Sequence, residues 1–262
     1  MDGQAAKERY RDMRKYLMLT MAIAALIAVS VAGIATGADK PVTVEAGNLV
    51  FTFNGGFNPD KLPKNKLAPI SLTASGKIST KDGTHPPALK EAIVETDKNG
   101  AINVKGLPVC KSGQLQSRDT KAAEKACNPA KIGQGQTTVE VQFPEQSPID
   151  VNSKLLVFNG GKSGGTTTLY IHAYFSAPVT GAIVTTVKIK KVKNGRYGLK
   201  SVATIPKIAG GSGSVKSFNL AITKRGVLLA KCPDGKLQAK TTAVFSDGTK
   251  ASAGIIRTCT GT

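Results

Sequence analysis

The sequence predicts an all-β protein, an antiparallel β-sandwich with one short α-helix, preceded by an N-terminal hydrophobic helix. After about residue 40, short runs of β-branched and aromatic residues alternate with turn residues. Asn-Gly and Asp-Gly pairs separate several of these runs, and such pairs form the tight turns of antiparallel hairpins. Only residues 118–127 have a helical pattern, which argues against β-α-β units and a parallel sheet.

The first 38 residues have the organisation of an export signal. Basic residues within 1–16 precede an apolar stretch that carries no charge from Leu17 to Ala38. A helix over this stretch is about 30 Å long, enough to span a bilayer's hydrocarbon core. The segment is either a signal peptide cut near Thr36-Gly37-Ala38, where the residues are small, or an uncleaved single-pass membrane anchor. Both alternatives place residues 39–262 outside the cytoplasm, as one β domain that is secreted or anchored to the cell membrane.

The chain is strongly basic. Its 262 residues include 36 Lys and Arg against 17 Asp and Glu, a formal net charge of +19. Beyond residue 38 the balance is still 31 against 14, so the charge belongs to the exported domain. A field of this sign attracts anionic polymers, anionic lipid headgroups and acidic glycans, and by itself it does not choose among them.

The cysteines also indicate an oxidising compartment. An even number, four, follows the leader: Cys110, Cys127, Cys232 and Cys259. Three pairings are possible, and we favour Cys110 with Cys127 and Cys232 with Cys259, because each pair brackets a segment that local patterning folds back on itself. Neither a zinc-type spacing nor a Cys-x-x-Cys is present, so we expect no metal, no cofactor and no redox site.

Local patterns place the secondary structure. Between the first two cysteines, Ser117 or Asp119 caps a short helix that Asn128-Pro129 ends. Hairpin turns are predicted at 97–100, 193–195 and 246–248, and an exposed flexible loop at 210–214. The predicted strands are 42–45, 49–53, 70–80, 92–96, 101–104, 137–143, 154–158, 166–175, 182–191, 197–204, 215–223, 227–231, 237–245 and 251–258.

Two glycine-rich motifs resemble catalytic loops. Residues 161–165 satisfy Gly-x-Ser-x-Gly around Ser163, but a nucleophile elbow needs a helix after the serine, and a strand is predicted there. A phosphate-binding loop ending at Ser163 would need glycine in place of Leu156. We therefore interpret this stretch as a hairpin loop and expect no catalytic residue in it.

Histidines and acids leave further alternatives. His85 precedes Pro86-Pro87 in a predicted turn, whereas His172 shares a strand face with Tyr170 and Tyr174. Either His172 is a half-buried residue bonded to a carbonyl or a Tyr hydroxyl, or the three residues form a ligand-contacting face. A glycosidase would need two facing carboxyl groups, and the sequence does not show that any two converge among Glu140, Glu145 and Asp150.

The densest basic patch outside the leader is one predicted hairpin, with Lys188, Lys190, Lys191, Lys193, Arg196 and Lys200. Lysines on an edge strand discourage edge-to-edge pairing of sheets, and we favour that interpretation together with solubility. The alternative is an anion-binding site. Nucleic acid is the less favoured ligand, because the chain is exported and poor in the aromatic residues that stack bases.

A series of short motifs resembles an uncharacterised family of secreted actinobacterial proteins. In chain order they are Leu107-Pro108-Val109-Cys110, Ala126-Cys127, Gly133-Gln134-Gly135, Phe143-Pro144-Glu145-Gln146, Phe158-Asn159-Gly160, His172-Ala173-Tyr174, Ile205-Pro206, Cys232-Pro233 and Cys259. The resemblance spans about 150 residues. It implies export and a compact β domain, and it implies no activity, ligand or site residue.

These observations predict a non-enzymatic exported protein of the cell envelope or extracellular space, with structural, adhesive or surface-binding duties. The alternative is a binding module for an anionic polymer or glycan, and the third hypothesis is a polysaccharide-acting or other hydrolase. The predicted partners are the membrane, through an uncleaved leader, and an anionic surface polymer. The sequence predicts no oligomeric state.

Overall fold

The structure, a computed structural model, describes residues 32–36 and 40–262. Of the predicted leader it shows Ala32–Thr36, which form a strand. The apolar helix was predicted over the stretch from Leu17 that includes Ala32–Ala35, where the structure has this strand. The residues of that helix before Ala32, and residues 37 and 38 of the predicted cleavage site, lie outside the described residues. Within the described ranges, no helix has the length and apolar character needed to cross a membrane.

The fold is almost entirely β structure. In the described ranges one α-helix, α1 (Thr120–Cys127), accompanies the strands. The strands are β1 (Ala32–Thr36), β2 (Val42–Ala46), β3 (Leu49–Asn58), β4 (Lys61–Leu62), β5 (Ala68–Thr80), β6 (Leu89–Asp97), β7 (Gly100–Ile102), β8 (Lys131–Val141), β9 (Ile149–Ser163), β10 (Thr166–Phe175), β11 (Gly181–Asn194), β12 (Tyr197–Thr204), β13 (Gly213–Ile222), β14 (Leu228–Ala230), β15 (Lys236–Phe245), β16 (Lys250–Thr258) and β17 (Thr260–Gly261).

Fifteen of these strands form one sheet, which is nearly closed into a barrel. Its strand order is β2-β3-β5-β13-β8-β9-β10-β11-β12-β6-β15-β16-β1, and β14 and then β7 extend from one end of β5. Pairing is antiparallel except between β1 and β16, and in the separate pair of β4 and β17. The predicted all-β, antiparallel class is confirmed. The strands nevertheless curl into one continuous sheet, where two stacked sheets of a sandwich were expected.

Local prediction located the strands but not all of their partners. Every predicted strand overlaps an observed one, and β10 and β12 have the predicted bounds. The hairpins at 193–195 and 246–248 are confirmed. The predicted hairpin at 97–100 is wrong, because β6 pairs with β12 and β15 whereas β7 pairs with β14. The Asp97 carboxylate accepts hydrogen bonds from the backbone N–H of Asn99 (2.9 Å) and Gln238 (3.1 Å), which ties this turn to β15.

The core follows from the alternation of side chains along each strand. Phe51 and Phe53 of β3 pack with residues of β2, β15 and β16 in one interior cluster. In β9, residues 155–159 are all buried, which a strand with one solvated face does not show. Leu155 and Val157 face the interior, while Leu156 and Phe158 belong to a cluster that includes residues of α1. The helix therefore covers the outer face of β9 and β10.

Both favoured disulfides are present, Cys110–Cys127 and Cys232–Cys259. The first links the chain before α1 to the helix's last residue, as predicted. The helix cap is Asp119, whose carboxylate accepts from the N–H of Ala122 at 2.8 Å. Two such bridges are compatible with an extracytoplasmic location.

The barrel nearly closes where the β16–β1 end of the sheet approaches β2 and β3, and no ladder of backbone hydrogen bonds between the described strands joins these two ends. There Arg257 of β16, 6% exposed, donates from Nε to the Gly55 carbonyl at 2.7 Å. Its Nη2 donates to Asn54 Oδ1 at 2.5 Å and to the Lys40 carbonyl at 3.3 Å. One buried guanidinium thus binds backbone and side-chain acceptors on the opposite side of the seam.

We expect Arg257→Ala to lower the free energy of unfolding by about 1–3 kcal/mol, because it leaves buried acceptors without donors. Arg257→Lys should recover part of the loss, since one ammonium cannot reproduce the guanidinium fork. Urea unfolding measures both, and Arg225→Ala, at an exposed arginine, is the matched control. An unchanged midpoint for Arg257→Ala would show that the seam does not depend on this side chain.

Candidate functional site

The basic hairpin predicted from the sequence consists of β11 and β12, which lie inside the sheet. β11 pairs with β10 and β12, and β12 pairs with β11 and β6. The interpretation of these lysines as edge protection is therefore wrong for Lys188 and Lys200, because the strands beside them are already paired. Only the tip of β11 beyond Ile189 lacks a second partner.

The register places like charges side by side on the outer face. Lys190 lies opposite Lys200, Lys200 opposite Glu95, and Glu95 opposite Lys240 of β15. Adjacent strands are about 4.8 Å apart, so three amines and one carboxylate form a row across four strands. Like charges directly opposite each other destabilise a sheet. The repulsion between Lys190 and Lys200 therefore lowers the stability of the sheet, and the pairing of the strands does not itself require lysines at these two positions.

The lysines of the hairpin have no ion pair within the part of the chain that the structure describes. Lys188, Lys190, Lys191, Lys193 and Lys200 are all exposed. The lysines that do pair with carboxylates lie elsewhere: Lys81, Lys131, Lys154 and Lys216. Five ammonium groups of the hairpin are therefore available to an external anion.

Arg196, the sixth residue of the predicted patch, has a different role. Its Nε donates to Asp97 at 2.7 Å, and its Nη2 donates to Asp234 at 3.0 Å and to the Lys236 carbonyl at 2.9 Å. The hydrogen bond to Asp234 is the main reason that the pKa of Arg196 lies above its ordinary value. This guanidinium joins β12 to the loop before β15, and its donors already have internal partners.

The Tyr170, His172 and Tyr174 face of β10 lies beside α1. His172 is 0% exposed, and its Nε2 donates to the Arg118 carbonyl at 2.9 Å. The interpretation of His172 as a residue bonded to a backbone carbonyl is confirmed, but the side chain is fully buried where half-burial was expected. Its Nδ1 is buried and has no hydrogen-bond partner among the described residues. Burial lowers the pKa of His172, although the Arg118 carbonyl and the Asp119 charge act in the opposite direction. Ligand contact by Tyr170 and Tyr174 stays a prediction.

The lowered pKa of His172 predicts a stability that depends on pH. In the unfolded chain the imidazole binds a proton near its ordinary pKa of 6.5, while the folded protein resists protonation at Nδ1. Below pH 6.5 the unfolded state therefore binds more protons, and stability falls as the pH falls. The slope reaches at most about 1.4 kcal/mol per pH unit.

We expect His172→Gln to flatten this dependence between pH 7 and pH 5, because Gln can donate to the Arg118 carbonyl but does not titrate. Urea unfolding at several pH values measures the difference between the two proteins. His85 is present in both and so serves as an internal control. Parallel pH profiles would mean that His172 is not the group responsible.

The structure brings together three residues that sequence reasoning kept apart, Ser214, His85 and Glu140. Ser214 Oγ lies 3.0 Å from His85 Nε2, and His85 Nδ1 lies 2.8 Å from Glu140 Oε1. Ser214 was expected in an exposed loop at 210–214, but it belongs to β13 and is 1% exposed, beneath the His85 segment. The atoms are arranged as in a Ser-His-acid triad.

The hydrogen bonds nevertheless oppose nucleophilic chemistry. Ser214 Oγ also lies 2.6 Å from the Pro86 carbonyl, which can only accept, so the hydroxyl hydrogen points to Pro86. The serine hydrogen is therefore directed to the Pro86 carbonyl and away from His85 Nε2, the nitrogen that would have to take it as a general base. In this arrangement the three residues hold the His85-Pro86 segment against β13 and β8.

Two of the three acids considered for a glycosidase do converge, but on a lysine. Glu140 and Asp150 are cross-strand partners, and Lys216 Nζ lies 2.9 Å from Glu140 and 3.0 Å from Asp150. Burial raises the pKa of Glu140, but hydrogen bonds from Lys216 and His85 outweigh it and bring the pKa below its ordinary value. Glu145 lies in the exposed turn after β8. The ammonium between the two carboxylates occupies the position that a sugar would need.

We expect His85→Ala to lower the free energy of unfolding by about 1–3 kcal/mol, because Glu140 and Ser214 each lose a hydrogen-bond partner. We also expect a fluorophosphonate probe to leave Ser214 of the native protein unmodified, as read by peptide mass spectrometry. Urea-unfolded protein passed through the same protocol controls for detection of the peptide. Modification of native Ser214 that disappears in His85→Ala would instead identify a working nucleophile.

The Ser163 motif forms a hairpin loop, as predicted. β9 ends at Ser163, β10 begins at Thr166, and Gly164 and Gly165 between them have φ of 53° and 76°. Two consecutive positive φ values are typical of the primed turns that glycine permits. A strand, not a helix, follows the serine, so the loop lacks the geometry of a nucleophile elbow.

Comparison with known proteins identifies none of these sites. No family model, no curated protein and no solved structure matches the chain. Within residues 32–36 and 40–262, no group of three or more His, Cys, Asp or Glu side chains is placed to hold a metal ion. The resemblance to a secreted actinobacterial family stays a prediction.

Proposed function

We propose that this chain is a non-enzymatic exported protein of the cell envelope or extracellular space that binds an anionic polymer or glycan through the β11–β12 hairpin. The observation that supports it most is the pair Lys190 and Lys200, which lie opposite each other with Glu95 on the other side of Lys200. A bound polyanion would neutralise this repulsion. The +17 charge beyond residue 38 would draw such a polymer to the protein from a distance.

The position of the lysines supports a flat, multivalent contact. Lys188 and Lys190 of β11 and Lys200 of β12 project from the same outer face of the sheet rather than from a cleft, so a long chain of repeated charges can contact several at once. Secretion or anchoring outside the membrane would place the hairpin among acidic surface polymers. The two disulfides support that location. The alternative function, which the experiment must distinguish from anion binding, is a structural or adhesive role without a specific anionic ligand.

The test is retention on an immobilised sulfated polysaccharide as salt is raised. We expect Lys188→Gln, Lys190→Gln, Lys191→Gln and Lys193→Gln together to weaken binding on the order of a thousandfold, since each lysine near an anionic surface contributes about 1 kcal/mol. The control removes the same number of exposed lysines from separate elements: Lys61, Lys77, Lys105 and Lys250.

Equal loss in both variants would mean that binding follows net charge and that the hairpin is no site. Retention that does not change with salt would also contradict the proposal. At 0.1 M salt the attraction between exposed charges decays over about 10 Å, and more salt shortens that distance.

A further inference from the structure

A second surface, separate from the lysine hairpin, is polar but uncharged. A depression of about 270 Å³ lies across β3, β5 and β13, and its polar lining residues are Asn54, Thr73, Ser75 and Asn219. In the strand order, β8, β9 and β10 separate β13 from β11. The depression is therefore a separate feature of the sheet.

The register explains the shape of this depression. One row across the three strands is Asn54, Ser75 and Asn219, and the next is Gly56, Thr73 and Ala221. Small residues, Gly56, Ser75 and Ala221, thus lie among larger polar ones. The β8 residues Gln136 and Gln134 continue these rows beyond Asn219 and Ala221 and are both exposed.

The polar lining groups are neutral, and those of Thr73, Ser75 and Asn219 are available. Within the described part of the chain, no hydrogen bond is formed by the side chains of Thr73, Ser75 or Asn219, whereas Asn54 Oδ1 accepts from Arg257 and from the Gly55 N–H. No lining residue is charged. The charged residue next along β5 is Lys77, and Lys154 beyond Gln136 is paired with Glu124.

We propose that this depression binds an uncharged sugar unit of a polysaccharide. Hydroxyl and amide groups both donate and accept, which matches the mixed donors and acceptors of sugar hydroxyls. Ala221 adds apolar contact for the C–H groups of a ring. An anion would find no cation among the lining residues, so charge does not select the ligand. With few hydrogen bonds and no aromatic platform, we expect a Kd on the order of 1 mM for one unit.

The test follows the side-chain amide resonance of Asn219 by NMR, in the full chain, during titration with dextran, mannan or a soluble β-glucan. We expect at least one of these neutral polymers to shift it. Gly56→Leu should abolish the shift by filling the depression. A Cβ at Gly56 meets nothing closer than Thr73 Oγ1 at 3.5 Å, so the fold should tolerate this change. Asn152→Leu, at an exposed position of β9 outside the depression, is the matched control.

Absence of a shift with all three polymers would overturn the proposal, and so would a shift that persists in Gly56→Leu. A shift produced by dextran sulfate but not by dextran would also overturn it, because charge would then select the ligand. The four-lysine variant of the hairpin should respond to the neutral polymers like the unmodified chain. A negative result for one binding surface would therefore leave the proposal for the other surface unchanged.

Discussion

The need to satisfy the backbone hydrogen bonds of one long sheet governs the rest of this structure. An open sheet has two edges of unpaired N–H and C=O groups, and curling brings those edges together. Here β16 meets β2 and β3 without a complete ladder, and the buried Arg257 supplies donors across the gap. Phe51, Phe53 and Ile255 fill the space behind the seam. Closure also determines which residues face outward on the completed barrel.

Closure separates two kinds of outer surface. On the side of β11, β12, β6 and β15, amines lie in a row with a single carboxylate. On the side of β3, β5 and β13, the residues that line the depression are uncharged. A polyanion and an uncharged glycan would therefore meet different parts of the same sheet.

The Ser214, His85 and Glu140 group shows that interatomic distances alone do not make a catalytic triad. The burial of the serine and the direction of its hydroxyl hydrogen matter as well. Its separations are those of a catalytic triad, yet Ser214 is 1% exposed and its hydroxyl is directed to Pro86. The same contacts hold the segment between β5 and β6 against the barrel. His172, with one nitrogen bonded to Arg118 and the other enclosed, is likewise part of the packing around α1.

The sequence by itself determined the β class, the approximate strand positions and the hairpins at 193–195 and 246–248. It narrowed the helix cap to Ser117 or Asp119 and favoured both disulfide pairs. Each of these features depends on neighbouring residues or short loops. The tertiary structure alone decided that β6 lies between β12 and β15, that Lys190 faces Lys200 beside Glu95, and that His85 reaches Ser214. Those contacts join residues far apart in the chain. Their partners are selected by the closing of the sheet, which no local pattern encodes.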